Sequence, residues 1–182
     1  MLLRNVLLTL AAALAAGCAG TGRGGPAGAG AGVVAAGDME RAPRVLPPVD
    51  LLTLDGQVTQ LQAAARGRVT LVALWATWCK ACKGELPALA RLSERAAAQG
   101  AAVLGVAVGE TRDTVAAFVS RRGLRYPQLV DEEFRLSALI GSDRIPTTII
   151  LDRQSRITYV GGPLDEGALA ALRTELNRPA VR

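Results

Sequence analysis

Cys79 and Cys82 stand two residues apart in the run Trp78-Cys79-Lys80-Ala81-Cys82-Lys83. At that spacing one sulfur can capture a partner and the other can displace it, closing a ring. The apolar run Val69-Thr70-Leu71-Val72-Ala73-Leu74-Trp75 directly before them reads as a strand that hands over to a helix at the first cysteine. A helix start offers unpaired N–H groups and the positive end of its dipole, which favour thiolate at Cys79. Lys80 adds positive charge beside it. Cys82, one turn in, faces protein and should keep the higher pKa, so the expected order is attack by Cys79 and resolution by Cys82. A structural bridge explains the pair poorly, because so short a loop removes little freedom from the unfolded chain. A zinc or iron–sulfur site wants about four ligands, whereas the sequence holds three cysteines and no histidine. The chemistry expected here is disulfide exchange, with no metal and no cofactor beyond the two sulfurs.

Glu85 lies three residues after Cys82, on the same helix face. A partly buried carboxylate there, with a raised pKa, could take the proton from Cys82 as it resolves. An ordinary first-turn Glu favoured by the helix dipole accounts for it equally well. The lack of histidine leaves only perturbed Cys, Glu, Asp or Lys to titrate near neutrality.

Positioning these groups requires a scaffold, and the pattern from Val49 onward supplies one. Leu51 to Leu54 and Val58 to Leu61 flank Asp55-Gly56, a hairpin signal. The continuous apolar strand 69–75 is of the buried, parallel-sheet kind. A helix is expected from Cys79 to Gln99, bent at Pro87 and ended by Gly100. A second buried strand runs from Ala102 to Val108, then a helix from Thr114 to Arg122 closed by Gly123. A short segment Gln128-Leu129-Val130 leads to a helical stretch from Glu132 to Ile140. Thr147 to Leu151 and Arg156 to Val160 form a second hairpin, and Leu164 to Leu176 an amphipathic helix capped by Asp165. The sum is an α/β fold with a central sheet covered on both faces.

With 182 residues, half of them apolar, the chain has room for one domain and a targeting or tail segment. Aromatics are only 3%, so the core must be Ala, Leu and Val. The formal charge of +5 raises the question of nucleic acid. The basic residues do not cluster, however, and Arg121-Arg122 is the densest pair outside the cysteine motif, so no nucleic-acid partner is expected. Of the 21 basic residues the only lysines are Lys80 and Lys83, leaving nineteen arginines, and both tryptophans, Trp75 and Trp78, share the same short stretch.

The stretch from Trp75 to Pro87, with Glu85 and Pro87 after the cysteines, and Ile145-Pro146-Thr147-Thr148 downstream, resembles the membrane-anchored thioredoxin-like proteins of the TlpA/ResA type. The resemblance covers roughly residues 47–177. It implies a thioredoxin-like fold, a central mixed sheet flanked by helices, with an N-terminal β-hairpin and an inserted helical segment between the two motifs. It implies that Glu85 assists the proton transfer. Plain thioredoxin places an acidic residue on the strand before the motif, where this chain has Ala73. The resemblance also makes Pro146 a cis-proline facing the cysteine pair, with the backbone of Ile145 free to pair with a substrate strand. Trp78 and Lys80 would meet the substrate around Cys79, and Trp75 would either join them or simply pack the core. One departure stands out: the family's second intervening residue is usually Pro, here Ala81. Residues between the cysteines tune the potential, and about 30 mV corresponds to 1.4 kcal/mol for this couple. Lys80 argues for an oxidant; the resemblance argues for a reductant.

Residues 1–17 read as a signal peptide, with Arg4 as its positive end and an apolar stretch from Val6 to Ala16 too short to anchor by spanning. Leu14-Ala15-Ala16-Gly17-Cys18 resembles the bacterial lipobox, in which Cys18 would be lipidated. Ala15 departs from the usual Leu, and plain secretory cleavage is the alternative. Several acyl chains on Cys18 would hold the protein to a membrane and leave only Cys79 and Cys82 to face each other. Residues 18–46, almost all Gly, Ala and Pro after the cysteine, read as a flexible tether of roughly 30 Å reach, ahead of a thioredoxin-like domain at 47–182. The expected function is an extracytoplasmic, periplasmic thiol–disulfide oxidoreductase. By resemblance it reduces protein disulfides, for example in apocytochrome c before haem attachment, and draws electrons from an integral-membrane thiol donor. The alternatives are a disulfide-forming oxidant or isomerase and, more weakly, a copper-delivery module, which would recruit His and Met; only Met1 and Met39 are present. A thiol peroxidase lacks its Pro-x-x-x-Thr-x-x-Cys pattern.

Overall fold

The structure, a computed structural model, describes residues 44–179. The expected signal peptide, the Cys18 lipidation site and the tether up to residue 43 lie outside the described residues. In chain order the elements are β1 (Arg44–Val45), β2 (Asp50–Thr53), β3 (Val58–Gln60), α1 (Leu61–Ala65), β4 (Val69–Trp75), α2 (Lys80–Ala98), β5 (Ala101–Val108), α3 (Arg112–Arg122), β6 (Gln128–Asp131), α4 (Arg135–Ile140), β7 (Thr147–Leu151), β8 (Arg156–Gly161) and α5 (Glu166–Asn177). The strands form one sheet in the order β1-β8-β7-β4-β5-β6-β2-β3. β4, β5 and β6 run parallel, and the remaining pairs are antiparallel. The sheet is therefore mixed, as expected.

Alternation along the central strands builds two apolar layers. Val69, Leu71, Ala73 and Trp75 of β4 join one cluster with Leu86 and Leu89 of α2, Phe118 of α3 and Leu172 of α5. Val72 and Leu74 point the other way, into a cluster with Leu61, Leu136, Ile140 and Ile149. Every residue of β4 and β5 is buried, which is why both read as unbroken apolar runs rather than alternating ones.

The punctuation residues act as expected at several places. Gly56 takes φ +87° in the β2–β3 hairpin, and Gly123 caps α3 at φ +62°. Asp165 accepts a hydrogen bond from the Ala168 N–H at 2.9 Å and opens α5. α2 runs through Pro87 to Ala98 and Gly100 follows its end with φ +72°.

Of the boundaries that differ, three are set by identifiable contacts. Leu61, expected to end a strand, instead opens α1; its side chain is fully buried and its N–H donates to the Val49 carbonyl at 3.1 Å. The folded part begins by Arg44, inside the stretch read as tether up to residue 46: Arg44 and Val45 pair with Ile157 and Arg156, and Leu46 is buried. The helix expected from Glu132 starts at Arg135, because the Asp131 carboxylate accepts from the N–H groups of Arg135 and Leu136 at 2.8 and 2.9 Å and fixes the first turn there.

Gly105 shows how tightly the centre is filled. A Cβ at this position would fall 2.0 Å from Gln128 Oε1. That oxygen accepts the hydrogen bond of the buried Trp75 Nε1–H at 3.1 Å. Replacing Gly105 with Ala expels the Gln128 amide and strands the indole N–H in the core. The expected loss is about 1–3 kcal/mol of stability, read as a lower urea midpoint with an unchanged m-value.

Candidate functional site

The sheet register brings four loops to one end. Trp75 at the end of β4 pairs with Ala107 of β5, and Leu74 pairs with Thr147 of β7. Val108 pairs with Asp131 of β6. The segment carrying the cysteines, the loop 109–111, the loop 132–134 and the residues before β7 therefore share the carboxyl-terminal edge of the parallel strands, where such sheets present their sites.

Cys79 is the N-cap of α2, and its sulfur accepts from the Cys82 N–H at 3.1 Å. The two sulfurs are joined as a disulfide across a Cα–Cα distance of 5.3 Å. Cys79 retains 7% exposure and Cys82 only 1%, the asymmetry that the order of attack and resolution requires. Lys80 is exposed in the first turn and Lys83 is half-buried. Trp78 stands 64% exposed, whereas Trp75 is buried with its ring 5.4 Å from Phe118; of the two expected roles for Trp75, packing is the one it fills.

Glu85 is half-buried on α2, and its Oε1 accepts from the Leu164 N–H at 3.1 Å. Burial raises its pKa above the ordinary carboxylate value; the Leu164 hydrogen bond works against this, and the nearby charge of Asp165 adds to the rise. Pro146 follows a cis peptide bond from Ile145, immediately before β7. Among the described residues no group of three or more His, Cys, Asp or Glu could hold a metal ion, and no helix is long and apolar enough to cross a membrane.

Two residues at this edge escaped the sequence reading. The Glu110 carboxylate accepts the Thr77 N–H at 2.6 Å and the Thr77 hydroxyl as well, tying the end of β5 to the loop that carries Trp78 and Cys79. A carboxylate one residue past a glycine, at the end of a buried parallel strand, is the signal that could have flagged it. Phe134 sits at φ +57° before α4 and is 48% exposed. Its ring lies where a Cβ on Gly109 would be, 2.0 Å from the ring carbon; no sequence pattern announces that contact.

A mixed sheet of this order, with a cysteine pair opening the helix after its central strand and a cis-proline opening the neighbouring strand, defines a thioredoxin-like fold. The chain belongs to the AhpC/TSA family, whose model matches residues 42–160. It is similar to the thiol-disulfide oxidoreductase ResA of Geobacillus thermodenitrificans, 32% identical over 114 residues, covering 63% of this chain and 65% of that protein. The thioredoxin-like protein YneN of Bacillus subtilis is 35% identical over 113 residues, covering 61% and 65%. The chain thus spans a little under two thirds of the length of these curated relatives. Among solved structures, a secreted thiol-disulfide isomerase from Corynebacterium glutamicum aligns with a TM-score of 0.63 at 29% identity, over 73% of this chain and 86% of that one.

Proposed function

We propose that this protein is an extracytoplasmic thiol–disulfide oxidoreductase that reduces disulfides in protein substrates. The observation that carries the exchange chemistry is the seat of Cys79: a sulfur at a helix N-cap, receiving a backbone N–H, beside a more deeply buried second sulfur; the reducing direction rests on the likeness to ResA. With the pair reduced, the Cys79 thiolate attacks one sulfur of a substrate disulfide and the other substrate sulfur leaves as thiolate. Cys82 then loses its proton, displaces the captured sulfur and restores the Cys79–Cys82 disulfide, so two electrons have passed to the substrate. Glu85 takes the Cys82 proton in this scheme, its raised pKa matching the task. Ile145, before the cis bond to Pro146, pairs with the substrate strand, while Trp78 and Lys80 meet its flanks.

The names of the similar proteins, ResA thiol-disulfide oxidoreductase and a secreted thiol-disulfide isomerase, support both the chemistry and an extracytoplasmic address. We assign Cys18 as the lipid-bearing residue that holds the domain to a membrane. Apocytochrome c awaiting haem is the model substrate, and an integral-membrane thiol carrier the electron donor. The reading is tested by equilibrating the chain in dithiothreitol and glutathione redox buffers. A reductant poises near thioredoxin, about −270 mV, whereas a value near −120 mV marks a disulfide-forming oxidant instead. The second reading has one feature in its favour: the N–H at the Cys79 sulfur and the adjacent Lys80 both favour thiolate, which stabilises the reduced form.

A further inference from the structure

Two carboxylates meet at the start of α5. Glu85 of α2 takes the Leu164 N–H on its Oε1 at 3.1 Å. Asp165, the next residue along, turns its own carboxylate to the Ala168 N–H at 2.9 Å as the helix cap. A third titratable group reaches them from the sheet. Tyr159 of β8 is half-buried, and its hydroxyl lies where two residues carry no side chain. A Cβ on Gly161 would fall 2.2 Å from that oxygen, and one on Gly167 would lie 3.4 Å from it and 3.2 Å from Asp165 Oδ1. The phenol and the Asp165 carboxylate therefore border one small space. The titratable groups around Glu85 are Cys82 one turn back on α2, Asp165 at the head of α5 and Tyr159 beyond it; Lys83, two positions back, does not face it. Burial is the main reason that Glu85 holds its proton above the ordinary range, the Leu164 hydrogen bond opposes this, and Asp165 is the charge that adds to it. The same carboxylate, after burial, also raises the pKa of Tyr159.

We infer that Asp165 is a positioning residue for resolution: its charge, fixed near Glu85 by the α5 cap, sets how strongly Glu85 holds the proton that it takes from Cys82. The inference rests on the thiol–disulfide reading and on Glu85 as the acceptor. In the resolving step Cys82 gives its proton to the Glu85 carboxylate. The freed sulfur displaces the substrate sulfur from Cys79, and that sulfur leaves as thiolate. Glu85 then returns the proton to water before the next cycle. A second anion beside the acceptor makes it a stronger base for the first event.

The test uses the full chain, reduced with dithiothreitol and freed of it, and the symmetrical disulfide of 5-thio-2-nitrobenzoate. Attack by Cys79 forms a mixed disulfide and releases one coloured thiolate. Cys82 then closes the Cys79–Cys82 disulfide and releases the second, so the second release reads resolution alone. It is followed by stopped flow from roughly pH 5 to pH 8. Asp165→Asn and Asp165→Ser both keep an oxygen to cap α5 and remove the charge. Both are expected to move the acid midpoint of the second release downward, making it about twofold faster than wild type at the acid end, with the first release unchanged. Glu166→Gln removes the adjacent exposed charge, already paired with Arg173, and is expected to move nothing. Carbon-13 NMR of the Glu85 carboxyl in the oxidised chain, assigned by its loss in Glu85→Gln, reads the same downward shift with no exchange chemistry. An NMR midpoint that neither Asp165 variant moves, or a shift matched by Glu166→Gln, overturns the inference and leaves the redox reading intact. So does an NMR shift with no kinetic one, since Asp165 would then act on Glu85 but not on resolution. A second release that Glu85→Gln leaves unchanged overturns Glu85 as the acceptor and the part of Asp165 with it. Release no faster than with a free thiol overturns the exchange reading itself.

Discussion

Cys82→Ser is expected to accumulate covalent complexes with its substrates, and Cys79→Ser to form none and to lose exchange by a factor of about a thousand or more. The argument rests on the unequal seats of the two sulfurs. Cys79 keeps 7% exposure against 1% for Cys82 and receives the Cys82 N–H, which is why the proposed order makes it the sulfur that attacks. Cys82, at 1% exposure the deeper of the two, is placed in the proposed order to act on what Cys79 has captured. Without Cys82 the mixed disulfide has no internal route to collapse and persists until an external thiol arrives. Non-reducing electrophoresis of the two variants after incubation with oxidised protein substrates reads the outcome directly. Equal trapping by both variants would remove the assigned order of attack.

The second large effect is expected at Glu85. Its substitution by Gln keeps an oxygen that can accept from the Leu164 N–H but removes the proton acceptor. Resolution of the mixed disulfide should slow by roughly a hundredfold or more, within the span of general-base contributions, while the first attack by Cys79 changes little. The same substitution has a stability signature whose sign follows from the raised pKa. Below the ordinary value of 4.5 both folded and unfolded states carry the proton, and the carboxyl is no burden to the fold. As pH rises, the unfolded chain ionises first. The folded state then loses stability until pH has passed through its raised value. Glu85→Gln should therefore melt at a higher temperature than the wild type at pH 7, and the gap should close toward pH 4. Thermal scans across that range, together with the pH profile of the resolution rate, check both halves. An unchanged resolution rate with an unchanged profile would leave Glu85 as an ordinary helix residue tied to Leu164.

Much of this scaffold is legible because local chemistry and tertiary packing agree. Buried parallel strands must be apolar on both faces, so β4 and β5 show as unbroken runs. Gly56, Gly123 and Asp165 announce turns and caps because few residues tolerate φ above zero or offer an oxygen to a bare N–H. The expectations failed where a distant contact outweighs the local pattern. Leu61 looks like the last residue of a strand until the core claims its side chain, and Asp131 delays α4 by spending its carboxylate on the helix's first N–H groups.

The sequence by itself supplied the elements of the proposed chemistry: two sulfurs at a spacing that permits a ring, after an apolar strand, in a chain with no histidine to offer another. It also pointed to the kind of fold, through the runs and turn residues along the chain, and it is the sole source of the expectation at Cys18. Only the tertiary structure decided what surrounds the sulfurs. Glu110 reaches Thr77 across 33 positions, Glu85 meets Leu164 across 79, and Phe134 shares a cavity with Trp78 and Ile145. The Glu110 and Phe134 contacts arise because parallel strands deliver their carboxyl ends to one edge, and register between strands is set by the packing of whole faces rather than by any short run of residues.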